Sequence, residues 1–365
     1  MEAIVAKAKK QFQEKLPFVL YCKPNSVEVI GFFQRNDTVF EANDFTEKGF
    51  VMATFDGTKT YLIPESESEV LRFTFEKKRN TVEQKDFTII DAVAKKDFEA
   101  LVAKGIQSIN NNEFKKVVLS RKETVAIAHF DLLATFETLL QLYPSTFVYC
   151  FYHPKIGTWL GATPEQLLKA TDTVFETISL AGTQKDSGSS EIIWEKKEKE
   201  EQQFVTDYIV FKLESVASGI KVTQPYSIKA GSIWHIRTDI SGRLNTNSSL
   251  QRVIRLLHPT PAVCGLPKES SKAFILQNEQ YDRSFYTGFL GELNCSFTAD
   301  SLSSDLFVNL RCMQIDSALQ NIPNNAIPTI TKAYLYMGCG ITKDSIPEKE
   351  WEESVNKSMT MKKVL

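Results

Sequence analysis

The chain lacks a paired-cysteine motif, a strong charge of either sign and any long apolar run, and each absence removes a class of function. Its six cysteines (Cys22, Cys150, Cys264, Cys295, Cys312, Cys339) are scattered, with no C-x-x-C pair and no spacing typical of a zinc site or a disulfide framework. Reduced thiols in a cytoplasmic protein are the corresponding expectation. Among 365 residues, 43 Lys+Arg nearly balance 45 Asp+Glu, leaving a formal charge of −2. No long-range attraction to nucleic acid or to an anionic membrane follows, and no local basic patch supplies one. No segment approaches the length of a membrane span. The opening MEAIVAKAKKQFQEKLPFVLYC reads as an amphipathic helix running into a strand, without the apolar core or cleavage site of a secretory leader. Internal repeats and low-complexity segments are lacking too.

What is present is a long series of strand signals. Residues 1–75 contain FVLYC, VEVIGFFQ, VFEAN, GFVMATF and TYLIP, closed by turn stretches such as KPNS, RNDT and FDGT, a pattern that predicts a β-meander after a short helix. A polar stretch over 76–86 leads to a helical run at about 91–110, after which strands and helices alternate. The clearest later helices span 130–142, 192–217, 248–257, 268–278 and 347–361. Strands at 146–153 and 158–161 are too close in sequence to be parallel neighbours, which argues against a doubly wound sheet. The expected fold is α+β: large, mostly antiparallel sheets packed as a sandwich with helices outside. One domain is expected over 1–365, with an N-terminal meander part (1–100) and a core part (101–365).

Two helices carry acids in unusual positions. In EIIWEKKEKEEQQFVTDYIVFKLE, a helical period places Trp194, Glu198, Glu201, Val205, Tyr208 and Lys212 in one stripe flanked by Phe204 and Ile209. Two carboxylates withdrawn from water inside an apolar stripe cost several kcal/mol unless a cation or donors meet them. Near the C-terminus, PEKEWEESVNK puts Glu350, Glu353 and Lys357 in one sector and Trp351, Val355 and Met359 in another. That peptide by itself suits an amphipathic surface helix with solvated glutamates. If the two helices converge, four carboxylates with room for water and a substrate oxygen suit Mg²⁺.

Ten segments taken together resemble one family, the chorismate-utilising enzymes: KVVLSR (116–121), GATPEQLL (161–168), LAGT (180–183), KEKEEQQFV (197–205), IWHI (233–236), HPTPAVCGLP (258–267), DRSFYTGFLGEL (282–293), LRC (310–312), GCGI (338–341) and EWEESVNK (350–357). Within it the likeness is to isochorismate synthases of menaquinone and siderophore pathways. The resemblance implies chorismate as substrate and Mg²⁺ held by Glu198, Glu201, Glu350 and Glu353, with Glu201 and Glu353 the direct ligands. It implies a substrate-carboxylate role for Arg311, a planar fork suited to that task. Lys116 matches the lysine of members that activate water, where ammonia-using members resemble one another in having glutamine. Water is therefore the implied nucleophile, and no glutaminase partner is needed.

Glu165 falls in T-P-E, locally a good helix start with Thr163 as cap, which would lower its pKa. The resemblance implies the reverse: a protonated acid, raised by burial, that donates to the departing 4-hydroxyl. Gly182, Thr183, His235, Tyr286, Gly338 and Lys357 match substrate-site positions. His235, between apolar residues, also suits a satisfied core histidine. Ala181 stands where aminodeoxychorismate-forming relatives carry a nucleophilic lysine, which disfavours that branch. Cys264 and Asn309 depart from the residues common at their positions. The implied activity is isochorismate synthase; a salicylate synthase, which goes on to eliminate pyruvate, is the alternative, followed by a non-catalytic binding homologue. A monomer is the simplest oligomeric expectation.

Overall fold

The computed structural model describes residues 2–76, 91–185, 192–230, 233–295, 302–316 and 330–365. Two large sheets account for all described strands. The first runs β15 (Gly265–Leu266), β7 (Lys116–Ala128), β19 (Ile330–Ile341), β18 (Cys312–Ile315), β9 (Gly157–Thr163), β8 (Phe147–His153), β1 (Phe18–Cys22), β2 (Glu28–Gln34) and β6 (Ser68–Thr74). The second runs β12 (Ala217–Val222), β14 (Ile233–Leu244), β11 (Val174–Lys185), β10 (Gln166–Thr171), β17 (Ser303–Val308), β16 (Phe289–Cys295), β4 (Gly49–Ala53), β5 (Thr60–Pro64) and β3 (Phe40–Glu41), with β13 (Tyr226–Ala230) also paired to β14. The recorded pairings are all antiparallel. This is the expected sandwich.

Why the central strands read as unbroken apolar runs is explained by what lies on each side. In β1, Val19 and Tyr21 join Phe50, Met52, Tyr149, Trp159 and Phe307 in the core between the sheets. Phe18, Leu20 and Cys22 face the opposite way, onto a helix layer. That layer contains α1 (Glu2–Gln13) and α3 (Leu132–Leu142), which contribute Ile4, Ala8, Leu133 and Phe136. The outer face of the second sheet is covered by α4 (Lys196–Leu213) and α5 (Leu250–Leu257) through Val205, Ile209, Leu213, Val253 and Leu257. A fourth cluster joins α2 (Ala92–Asn110), α6 (Lys268–Asn278) and α7 (Pro347–Lys362) to Val117, Leu119 and Ile341. Strands covered on both faces have no polar side to present, and each fully buried large side chain contributes on the order of 2 kcal/mol.

Helix starts follow local chemistry. Asp91 and Asp131 each accept two backbone N–H groups at the first turns of α2 and α3. The N-terminal segment differs from expectation. Its strands do not form one meander: β1, β2 and β6 belong to the first sheet, whereas β3, β4 and β5 belong to the second. The strand β6, with alternating burial, was not foreseen. The linking stretch expected over 76–86 lies, from residue 77 onward, outside the described residues. Among the described residues no helix is long and apolar enough to cross a membrane.

Candidate active site

Two places where the chain passes from one sheet to the other lie side by side, and each carries a candidate residue. Pro164 and Glu165 join β9 to β10, and Asn309–Arg311 join β17 to β18. The crossings are stitched together by Ala162 N–H donating to Arg311 O (3.0 Å) and Val308 N–H donating to Glu165 O (2.9 Å). The Thr163 hydroxyl donates to Val308 O. Glu165 therefore does not begin a helix, as T-P-E suggested, because Thr163 spends its hydroxyl on the neighbouring strand. Arg311 sits past the end of β17, at a left-handed φ of 47°, a conformation costly for a non-glycine residue and held here by the surrounding bonds.

Glu165 is only 8 % exposed. Burial raises its carboxyl to about 7, against the opposing pull of Lys116 and Arg311. Arg311 is itself pushed below its ordinary range by burial, against the anionic influence of Tyr286, Glu353 and Glu165 among others. Lys116 and Arg311 thus both act on the buried acid.

Lys116 opens β7 and is buried. Its ammonium donates to Glu201 Oε1 at 2.6 Å. A Cβ at Gly340 would lie 3.2 Å from Lys116 Cε and 3.8 Å from Glu201 Oε1, so this glycine gives the pair its room. Both acid-bearing helices reach the same stretch of β19: Glu201 of α4 lies against Gly340, and Lys357 of α7 donates to the carbonyl of Gly338. Burial opposes ionisation of Glu353, but Lys357 and Arg311 outweigh it and hold the carboxyl below its ordinary value. Lys357 bridges Glu353 (2.5 Å) and the carbonyl of Gly338 (2.8 Å).

The donor set suits a hard cation. Ligand atoms of Glu350, Glu353 and Cys339 lie within 4.8 Å of one another. Burial pushes the Cys339 thiol far up, so it stays a neutral sulfur beside the carboxylates. Glu198 Oε2 is buried with no hydrogen-bond partner among the described residues, and a carboxylate oxygen in that condition calls for a positive charge. Glu198, Glu201, Glu350 and Glu353 are all partly buried. Among the described residues the cluster brings together Glu350 and Glu353 with Cys339, and does not include Glu198 or Glu201; carboxylate oxygens of this kind fit a small divalent ion.

Of the remaining positions, Gly182 (φ 72°) passes close under Glu198, whose Cβ would be 3.3 Å from a Cβ placed there. Its carbonyl accepts from His235 Nδ1 at 2.9 Å, which leaves Nε2 as an acceptor. Burial lowers His235 to about 4, so the ring is neutral at pH 7. Thr183 lies on β11, and its side chain is outside the described part of the structure. Tyr286 is buried and stacked on Tyr336, with its hydroxyl 2.9 Å from a Cβ placed at Gly338.

The stripe expected on α4 is rotated. Trp194 precedes the helix, Phe204 is 50 % exposed, and the buried face is Gln202, Val205, Thr206, Ile209 and Leu213. Glu198 and Glu201 lie at its edge. Gln202 and Thr206 were passed over because a polar side chain carries no apolar signal. Asn309 was noted only as a departure, yet it fixes the crossing beside Arg311: it accepts from Tyr149 OH (2.7 Å) and donates to Phe285 O (2.9 Å).

The comparisons with known proteins bear on the family and the fold. The sequence profile described as "Chorismate binding enzyme" matches residues 49–365. The chain is 27 % identical over 283 residues to the salicylate biosynthesis isochorismate synthase of Pseudomonas aeruginosa, covering 75 % of this chain and 56 % of that one. It is 27 % identical over 309 residues to isochorismate synthase EntC of Escherichia coli K12, covering 81 % and 73 %. It thus spans little more than half the length of the first of these relatives. In fold it superposes on the menaquinone-specific isochorismate synthase MenF of Escherichia coli with a TM-score of 0.76 at 21 % identity, covering 96 % of this chain and 88 % of that one. The chain belongs to the chorismate-binding enzyme family.

Proposed function

We propose that the chain is an isochorismate synthase, an isomerase that adds water at C2 of chorismate and releases the 4-hydroxyl while the ring double bonds shift. The observation that carries this is Glu165: a buried acid held protonated near neutrality, close enough to Lys116 and Arg311 to feel both charges. Glu165 passes its proton to the departing 4-hydroxyl, which leaves as water. Lys116 takes a proton from the attacking water, so the new C2–O bond and the broken C4–O bond balance without an external reagent. Arg311 binds a substrate carboxylate through its fork. The relatives named isochorismate synthase support the reaction class.

Mg²⁺ would be held by Glu198, Glu201, Glu350 and Glu353. When bound it neutralises the ring carboxylate and polarises the ring toward loss of the hydroxyl. Glu201, which accepts from the Lys116 ammonium, would also be one of the residues holding the ion. Gly182 and Gly338 let main chain approach the ligand, and His235, Tyr286 and Lys357 line the site; Thr183 is a further substrate-binding candidate by the family resemblance. With water as nucleophile no glutaminase is required.

Incubation of the purified protein with chorismate and Mg²⁺ tests the assignment. Isochorismate as the accumulating product supports it. Salicylate with pyruvate converts it to the lyase alternative, and unconsumed chorismate with folded protein overturns it.

A further inference from the structure

Each acid-bearing helix is fastened to its sheet by a buried polar side chain that has no part in the proposed chemistry. On α7, Arg121 of β7 donates from Nε to Ser354 Oγ (2.8 Å), lies over the Trp351 ring at 4.3 Å, and pairs through Nη1 with Glu123 (3.0 Å). Glu123 in turn holds Lys362 at 2.5 Å. Positions 351, 354 and 362 lie on one helix face, and Glu350, Glu353 and Lys357 occupy the adjoining sector. On α4, Gln202 is 2 % exposed. Its amide donates to Thr206 (2.9 Å) on its own helix and to Thr238 (2.8 Å) of β14, with Ser179 of β11 at 3.4 Å. Ser179 and Thr238 are themselves paired across β11 and β14.

Such fastening matters because apolar burial alone positions these helices loosely. The buried residues of α7 include two serines, Ser354 and Ser358, beside Trp351 and Met361. A slip of one residue moves a helix about 1.5 Å and turns it about 100°, enough to carry Glu353 out of the cluster. Apolar contacts tolerate such slips better than hydrogen bonds with fixed partners. Arg121 Nη2 is also buried without a partner among the described residues, so this side chain is not placed for maximal stability. Buried polar groups retained at a cost in stability suit a role in register.

We infer that Arg121 and Gln202 are positioning residues for the metal site, setting the register in which α7 presents Glu350 and Glu353 and α4 presents Glu198 and Glu201 to the ion. The inference rests on those glutamates binding Mg²⁺. Lys116 and Arg121 lie five residues apart on β7, on opposite faces, so one strand both presents the lysine and anchors the helix that carries Glu350 and Glu353.

Calorimetric titration of Mg²⁺ into folded wild type, Arg121→Met, Gln202→Met and Ser354→Ala tests it, with melting temperature recorded in parallel. The expected result is a Kd for Mg²⁺ raised roughly tenfold or more in the two methionine variants and several-fold in Ser354→Ala, out of proportion to any change in melting temperature. A purely structural role would lower the melting temperature and leave Kd unchanged, which overturns the inference. If Arg121→Met does not fold, Ser354→Ala decides for α7, and if Gln202→Met does not fold, Thr238→Val decides for α4: a wild-type Kd overturns the corresponding anchor. Absence of Mg²⁺ binding by the wild type would instead overturn the metal reading of the glutamates, and this inference with it.

Discussion

Replacing Glu165 by glutamine keeps the shape of the side chain and removes its titration. The folded protein holds the Glu165 proton up to about pH 7, against an ordinary value of 4.5, chiefly because burial penalises the carboxylate more than Lys116 and Arg311 favour it. That gap corresponds to roughly 3 kcal/mol. The sign follows from proton uptake: between these two values the folded state binds a proton that the unfolded chain has released, so stability falls as pH rises. The contribution is fully present below 4.5 and is lost as pH climbs through about 7. Wild type and Glu165→Gln should therefore be similar in stability near about pH 4, with the variant ahead by about 3 kcal/mol at about pH 8.5. Urea unfolding midpoints taken across that window measure the difference directly. A stability difference that is flat with pH, or one that favours wild type at high pH, refutes the buried protonated acid. In the proposed reaction the same proton is the one donated, so turnover should fall about tenfold per pH unit above the titration and be lost in Glu165→Gln at every pH.

Three further outcomes follow from the site. Lys116→Ala should lose about 10²- to 10⁴-fold in turnover with the melting temperature little changed, since Glu201 keeps access to water; unchanged kinetics remove the base assignment. Glu201→Ala should shift the Mg²⁺ concentration needed for half-maximal rate upward by about tenfold or more, and an unaltered Mg²⁺ dependence excludes Glu201 as a ligand. Gly340→Ala places a methyl 3.2 Å from Lys116 Cε and should cost about tenfold in turnover through displacement of the lysine; wild-type kinetics would show that the pair tolerates the intrusion.

What the sequence determined by itself was whatever depends on neighbours along the chain. Runs such as FVLYC and FVYCFYH have no polar side, so they announce strands covered on both faces. The spacing of Glu350, Glu353 and Lys357 fixes them to one helix sector, and Glu353 and Lys357 do pair there. Family motifs supplied the candidate residues of the site, and their order along the chain was enough to recognise the family.

Only the tertiary structure decided which elements meet. A strand's apolar pattern says that it is buried and not which sheet it joins, so one expected meander became strands shared between two sheets. Thr163-Pro164-Glu165 satisfies every local rule for a helix start, but the partners that settle its conformation, Val308 and Arg311, lie far along the chain. The face of α4 was misjudged for a similar reason: Gln202 and Thr206 are buried because Ser179 and Thr238 wait opposite them. Burial of a polar group is favourable only when a partner is present, and a partner distant in sequence leaves no local trace.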